Sequence, residues 1–308
     1  MNENASATGL RCEQSAVRTI NLDDVRLTYA VDGAMGVNPG VFFPFLSAEY
    51  WAGQPEALNA QELIAMSVGG LLVERGGRRL LIDAGLGTQA GRTPLGVVNS
   101  GALPDTLTAL DCDIADIDTV AFTHLHLDHT GWAFTQTQDG SYRKTFPAAR
   151  YLVAAAEWAP YGRGETLPAA TPSALLEQFA ATRTLFEDGE EIFPGVRAVV
   201  TPGHTSGHTS YIITSSTGKR LIALGDAFHI PAQLGHPDWP SLPDIDVDAV
   251  LAARRKLTQE LEQPGTLGFA CHFGDQAFGR ITRTGTGFLD WEPVPAAAIM
   301  PAPRKLVG

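Results

Sequence analysis

The sequence predicts an α+β fold in one domain, on three observations. Short strand-like runs dominate both halves of the chain. Each half also carries helical runs. No repeat, low-complexity tract or linker divides them. A chain of 308 residues allows one large domain or two modest ones. A body of this size buries about 75% of its unfolded surface, enough for a core without disulfides.

The elements follow in order. Residues 1–17 are small and polar and are expected to form a loose N-terminal arm, with the domain spanning 18–308. Residues 25–31 (VRLTYAV) alternate as a strand does. A long Gly/Pro-punctuated segment follows over 33–61, carrying Phe42, Phe43, Phe45, Tyr50 and Trp51. Residues 66–74 and 79–82 read as strands joined at Gly76-Gly77, a hairpin turn, and Asp83-Ala84-Gly85 ends the second. A short helix is expected over 103–110. A buried strand over 119–122 runs into Thr123-His124, and another strand covers 151–154. Helical spacing of Leu175, Leu176, Phe179 and Leu185 predicts a helix over 173–186. Strands are expected over 196–200, 210–213 and 220–224. The best helix is 247–261, capped by Asp246 or Asp248 and stopped by Pro264-Gly265. A short strand at 269–270 ends at Cys271-His272, and the tail reads as strand and loop.

Composition limits the function. Hydrophobic residues make up 44% and charged residues 18%, an ordinary globular balance. The net charge of −12 at pH 7 argues against nucleic acid or an anionic membrane surface as partner, since both need a basic face. With 32 Gly and 20 Pro the chain is loop-rich, which suits a site built from loop residues. The three cysteines, Cys12, Cys112 and Cys271, form no CxxC pair. Neither a disulfide framework nor a thiolate zinc knuckle is indicated, and a reducing, cytoplasmic setting is the expectation. The first ten residues, MNENASATGL, have neither the basic nor the apolar region of a secretory signal. No run approaches 18 apolar residues.

The histidines carry the chemistry. Three of eight lie within six residues, in Thr123-His124-Leu125-His126-Leu127-Asp128-His129. In an extended stretch His124 and His126 point to one side. A following helix can aim Asp128 and His129 at a second point nearby. One segment can thus serve two metals, as two-metal hydrolases require. Imidazole and carboxylate suit Zn²⁺, with Fe or Mn as alternatives. His204, Asp226 and His272 each follow a predicted strand, which converges them on one sheet edge.

The motifs LLIDAG (80–85), THLHLDHTG (123–131), TPGHTSGHT (201–209), GDAFH (225–229) and CHF (271–273), in this order, resemble the metallo-β-lactamase superfamily. The resemblance covers about residues 66–273. It implies an αββα sandwich with a dinuclear site at one edge. His124, His126 and His204 would hold one divalent ion, and Asp128, His129 and His272 the other. Asp226 would bridge them. A bridging Asp and the absence of a Cys ligand argue against a true β-lactamase. Asp83 would orient a ligand histidine, and His208 would play a structural part. Within the superfamily, residues 225–239 and 271–288 look most like methyl parathion hydrolase and its acyl-homoserine lactonase kin. Those lactonases commonly carry Tyr three residues after the bridging Asp. Here the position is His229, as in the methyl parathion hydrolase-like branch.

The resemblance implies a hydrolase in which a metal-bridging hydroxide attacks a carbonyl carbon or a phosphorus. Asp128 would pass a proton to the leaving group, and His229 would donate a hydrogen bond to the developing oxyanion. The expected substrates are small molecules: lactones or esters with an apolar acyl or aryl part, with organophosphate triesters as promiscuous ones. Phe42, Phe43, Phe45, Trp132, Phe134 and Trp239 are candidate pocket walls. The 41–51 aromatic segment has two readings, an apolar lid or a packing element on the sheet or across a homodimer interface. His236 reads as a loop residue and Cys271 as a buried small hydrophobe. Rival readings are a thioesterase of the glyoxalase II kind and a non-catalytic metal-binding member of the fold. The strand-and-loop tail argues against the first, and the filled ligand positions against the second.

Overall fold

A computed structural model describes residues 8–306. The first half of the chain contributes β1 (Val17–Leu22), β2 (Val25–Val37), β3 (Ile64–Arg75), β4 (Arg78–Ile82), β5 (Ala90–Thr93), β6 (Gly96–Ser100), β7 (Thr119–Ala121), β8 (Phe134–Gln136), β9 (Tyr142–Lys144) and β10 (Arg150–Ala154). The second half adds β11 (Arg183–Phe186), β12 (Glu191–Phe193), β13 (Val196–Val200), β14 (Thr209–Thr214), β15 (Arg220–Ala223), β16 (Thr266–Phe269), β17 (Phe278–Arg283), β18 (Leu289–Pro293) and β19 (Ala297–Met300). The helices are α1 (Pro39–Phe42), α2 (Ala48–Ala52), α3 (Leu103–Ala109), α4 (Leu127–Thr130), α5 (Ala155–Gly162), α6 (Ser173–Thr182), α7 (Ala232–Gly235) and α8 (Val247–Leu261).

Among the described residues one sheet runs β11-β10-β7-β4-β3-β2-β1-β19, with the β5–β6 hairpin attached to β2. A second runs β12-β13-β14-β15-β16-β17-β18, and β8 and β9 form a separate two-stranded sheet. Alternation along each strand explains the layering. On β4, Leu80 and Ile82 face the second sheet while Leu81 faces the helices. On β15, Leu221 and Ala223 face inward and Ile222 outward. The inner faces meet through Tyr29, Leu71, Phe186, Tyr211 and Phe269. Outside the first sheet, α3 contributes Leu103 and Leu107, and α6 contributes Leu175 and Phe179. Outside the second sheet, α8 contributes Leu257 and Leu261. This is the expected αββα sandwich.

The Gly76-Gly77 turn has φ of 58° and 77°, the doubly positive backbone that a two-residue hairpin favours. Asp246 caps α8 by accepting from the Ala249 N–H at 3.0 Å.

Four regions differ from the sequence reading. The helix expected over 173–186 stops at Thr182. Residues 183–186 instead pair in parallel with β10, burying Phe186 between the sheets and leaving Leu185 43% exposed. Here tertiary pairing outweighs a local helical spacing. The strand expected at 269–270 is β16, ending at Phe269. The aromatic 33–61 segment contains the end of β2 and then α1 and α2. The arm expected over 1–17 lies outside the described residues for 1–7, and from Gly9 on it is tied down. Gln276 Nε2 donates to the Gly9 carbonyl, the Ser15 N–H donates to Ser67 Oγ at 2.7 Å, and Val17 opens β1. No helix of the described residues is long and apolar enough to cross a membrane.

Candidate metal centre

The expected ligands converge at one edge of the sandwich. The first sheet delivers His124 and His126 just past β7, where the chain is still extended (His126 φ −83°, ψ 156°). α4 then turns Asp128 and His129 toward the same place. The second sheet delivers His204 after β13, Asp226 in the turn after β15, and His272 after β16. The turn at Asp226 depends on Gly225, whose φ is +56°. A Cβ there would lie 2.4 Å from His208 Nε2.

Among the described residues three donor groups occur: His204, His229 and Asp244 form one, and the expected ligands form the other two. Of these two, His124, His126, His204 and Asp226 form one, and Asp128, His129, Asp226 and His272 the other. The donor atoms of each lie within 4.8 Å of one another, and Asp226 belongs to both. His204 Nε2 lies 3.0 Å from His126 Nδ1 and 3.2 Å from His124 Nε2. Asp226 Oδ2 lies 3.3 Å from His204 Nε2, and its Oδ1 lies 3.2 Å from both His129 Nε2 and His272 Nε2. Donors about 2.0–2.1 Å from a tetrahedral Zn²⁺ are separated by about 3.4 Å, so the spacing fits a divalent ion in each set.

The distal ring nitrogens of His124, His129, His204 and His272 are anchored, which fixes orientation. His129 Nδ1 meets Asp83 Oδ2 at 2.9 Å, His204 Nδ1 meets Asp244 Oδ1 at 2.9 Å, and His272 Nδ1 donates to the Ser67 carbonyl at 2.9 Å. His124 Nδ1 meets Thr123 Oγ1 at 3.0 Å. The inward nitrogens are left to face one another, and buried His129 Nε2 finds no hydrogen-bond partner. Burial holds His124 well below the usual imidazole range and brings His126 down to about 3, which keeps both rings neutral as ligands must be. Burial alone would raise Asp226. Positive charge on His129 and His272, both held well above the usual imidazole range, outweighs it and holds the carboxyl well below its ordinary range.

Asp83, His208 and His229 also lie against this set. Asp83 also accepts from the Thr123 N–H at 2.8 Å. His208 lies beside the ligands, and its Nε2 accepts from the Asp226 N–H at 2.9 Å, so it shapes the turn rather than adding a donor. His229 is 1% exposed, its Nε2 lies 3.2 Å from Asp226 Oδ2, and neither ring nitrogen has a hydrogen-bond partner. Phe42 packs edge-on against the His229 ring at 5.2 Å, and Phe43 is buried behind it against Trp51. Phe45 and Tyr50 pack on Trp239, which stacks on His236 at 4.0 Å. Cys271 is buried between the sheets. A cavity of about 30 Å³ lies between Tyr50, Trp51, Ile64, His229 and His272.

Two expected pocket walls are corrected. Phe134 packs against Tyr151 and Phe179 in the core beneath α6. Trp132 leans on that same core, its Nε1 donating to Asp32 Oδ1 at 2.8 Å.

Four charged residues with buried side chains around the site escaped the sequence reading. Glu157 accepts from Leu125 N at 2.9 Å, Gly207 N at 3.0 Å and Thr205 Oγ1 at 2.6 Å, lacing the His124/His126 loop to the His204 loop. Asp32 accepts from Leu86 N, Gly87 N, Gly101 N and Leu103 N and shapes the loop after Asp83. Asp244 and Arg254 stand behind His204. One signal was available. Arg254 lies at helical spacing with Val250, Leu257 and Leu261 on the apolar stripe of α8.

The family profile described as the metallo-beta-lactamase superfamily matches residues 70–265. The chain belongs to this superfamily. Among solved structures, AidC, a dizinc quorum-quenching lactonase solved in complex with a product, is 23% identical. The match covers 91% of this chain and 98% of AidC, with a TM-score of 0.77. The hydrolase AbOPH is 21% identical over 92% of this chain and 98% of its own, with a TM-score of 0.75. A probable metal-dependent hydrolase from Staphylococcus aureus is 21% identical over 94% and 100%, with a TM-score of 0.70. These likenesses establish a shared superfamily fold. No curated protein matches the chain.

Proposed function

We propose that this superfamily member is a dinuclear-metal-dependent hydrolase that opens lactones or cleaves esters with an apolar acyl or aryl part. The observation that carries the reading is the pair of donor sets sharing Asp226. The dizinc lactonase AidC and the hydrolase AbOPH support it through their common fold. Zn²⁺ suits the donors best, with five imidazoles and two carboxylates among them. When bound, two such ions supply Lewis acidity and a water whose pKa falls from 15.7 to about 7.

The chain's own residues do the rest. Asp226 offers one oxygen to each donor set and fixes their separation. Asp128, with 19% of its side chain exposed, is the accessible carboxylate of the set and is suited to pass a proton to a leaving oxygen. Burial lowers His229, so its ring is neutral and carries one N–H. That N–H can donate to a substrate oxygen on which charge develops, a role worth about 3 kcal/mol in comparable sites. Phe42, Phe45 and Trp239 form an apolar wall beside His229 and suit an acyl or aryl group.

The test is proton release by the zinc-loaded protein, with Asp226→Ala as control. Acyl-homoserine lactones, simple γ- and δ-lactones, aryl esters, a phosphotriester and a thioester would be compared. Fast release from lactones or aryl esters, abolished in the control, is the expected result. Release from the thioester alone would overturn the lactone and ester reading.

A further inference from the structure

Arg254 is not a candidate ligand, yet it touches three segments that build the site. It sits on α8 with no exposed surface. Its Nε donates to the carbonyl of Ala227, the residue after Asp226, at 2.6 Å. Its Nη1 donates to the carbonyls of Trp239 at 2.6 Å and Pro237 at 3.0 Å. Its Nη2 donates to Asp244 Oδ2 at 3.3 Å, and Asp244 Oδ1 meets His204 Nδ1 at 2.9 Å. The Ser241 N–H also donates to Asp244 Oδ2, at 2.8 Å. Neither side chain of the Arg254–Asp244 pair is more than 1% exposed.

A dry guanidinium is costly to hold, and an apolar residue at the same helix position would pack without that cost. What the cation adds here is a fixed carboxylate. Asp244 is pinned by Arg254 on one side and by the Ser241 amide beside it, so its free oxygen can point only at His204. With Nδ1 committed to Asp244, His204 turns Nε2 toward His124, His126 and Asp226.

We infer that Arg254 is a positioning residue for the metal centre: through Asp244 it holds the His204 imidazole in its metal-facing orientation. This rests on the proposed reading of His204 as a ligand. Arg254→Met keeps an unbranched apolar stem of similar extent and removes the guanidinium cation. Asp244→Asn keeps the shape but must set an amide N–H₂ either against the donors of Arg254 and Ser241 or against His204 Nδ1–H.

The experiment is zinc release from the loaded protein to a chromophoric chelator, for wild type, Arg254→Met, Asp244→Asn and the double variant. Far-UV circular dichroism checks the fold. The expected result is that one of two zinc equivalents leaves about 10–100-fold more readily in each single variant. The double variant should lose little beyond Asp244→Asn, because both act along one path. Two equivalents held at wild-type affinity in a folded Arg254→Met would overturn the inference. If that variant fails to fold, wild-type zinc affinity in Asp244→Asn overturns it equally, and Arg254→Lys should fall between wild type and Asp244→Asn. A wild-type chain that takes up no zinc would defeat the proposed function itself, a different outcome.

Discussion

Single carboxylates decide whether the ligand loops meet. Glu157 illustrates this, since its two oxygens serve three donors drawn from loops that follow different sheets. Glu157→Ala strands two buried amides and a hydroxyl. Each unsatisfied group costs about 1–3 kcal/mol, so a loss of at least 3 kcal/mol is expected from urea unfolding. A change within 0.5 kcal/mol would show that water or a shifted loop replaces the carboxylate. Asp244 makes a pH-dependent contribution. Burial alone would raise its pKa. The hydrogen bond from His204 and the nearby Arg254 guanidinium override this and bring it down to about 2 from 3.8. A depressed folded pKa means stability that is present in full above 3.8 and lost as the pH falls through about 2. Its size is about 2 kcal/mol. The stability difference between wild type and Asp244→Asn should therefore shrink between pH 5 and pH 2.5, measured by denaturant unfolding. A constant difference would mean that folding does not depress the Asp244 pKa.

Helix α8 shows how an element serves the site. Its buried stripe of Val250, Ala253, Leu257 and Leu261 docks it on the second sheet, and that docking carries Arg254 to Asp244. Its N-terminus abuts the His204 loop, where the Ile245 and Asp246 amides both donate to the Gly203 carbonyl. Removing the cap with Asp246→Ala should cost about 1 kcal/mol in thermal or urea unfolding. Zinc affinity should stay unchanged, because the cap accepts from Ala249 rather than from the ligand loop. A loss of zinc without a loss of stability would contradict this division. Strand β11 makes the opposite point. Its residues continue a helical spacing, yet Arg183 takes φ −68° and ψ 150°, and the segment pairs with β10. A free strand edge and an inter-sheet place for Phe186 outweigh a local preference of a few tenths of a kcal/mol per residue.

At the scale of the molecule, the two sheets each supply about half the ligands, so the ions would act as a clasp between them. Ligand binding to the folded state alone adds stability in proportion to occupancy. At free zinc about 1,000-fold above the dissociation constant this is about 4 kcal/mol per site. For a chain of 308 residues that corresponds to roughly 6 °C in Tm per site. Stripping the ions with a chelator should lower the scanning-calorimetry Tm by at least this amount, and added zinc should restore it. An unchanged Tm would mean that the sandwich carries the ligand edge without help from metal.

Much of the site was legible in the sequence because its residues are local in chain or punctuate strand ends. His124, His126, Asp128 and His129 lie within six positions, so strand-then-helix geometry suffices to aim them at two nearby points. The alternating strands, the Gly76-Gly77 turn and the Asp246 cap were legible for the same reason: each depends on residues a few places apart. Glu157, Asp244, Arg254 and Asp32 were not, because each has partners ten or more residues away that only the folded layers bring within 3.3 Å. Phe134 and Trp132 were misplaced for a related cause, since nothing local says which way a short strand turns after the metal motif. Sequence alone determined the donor types and their order along the chain. The sandwich decided their convergence, because burial of both sheets' inner faces is what forces the two sets of loops onto one edge.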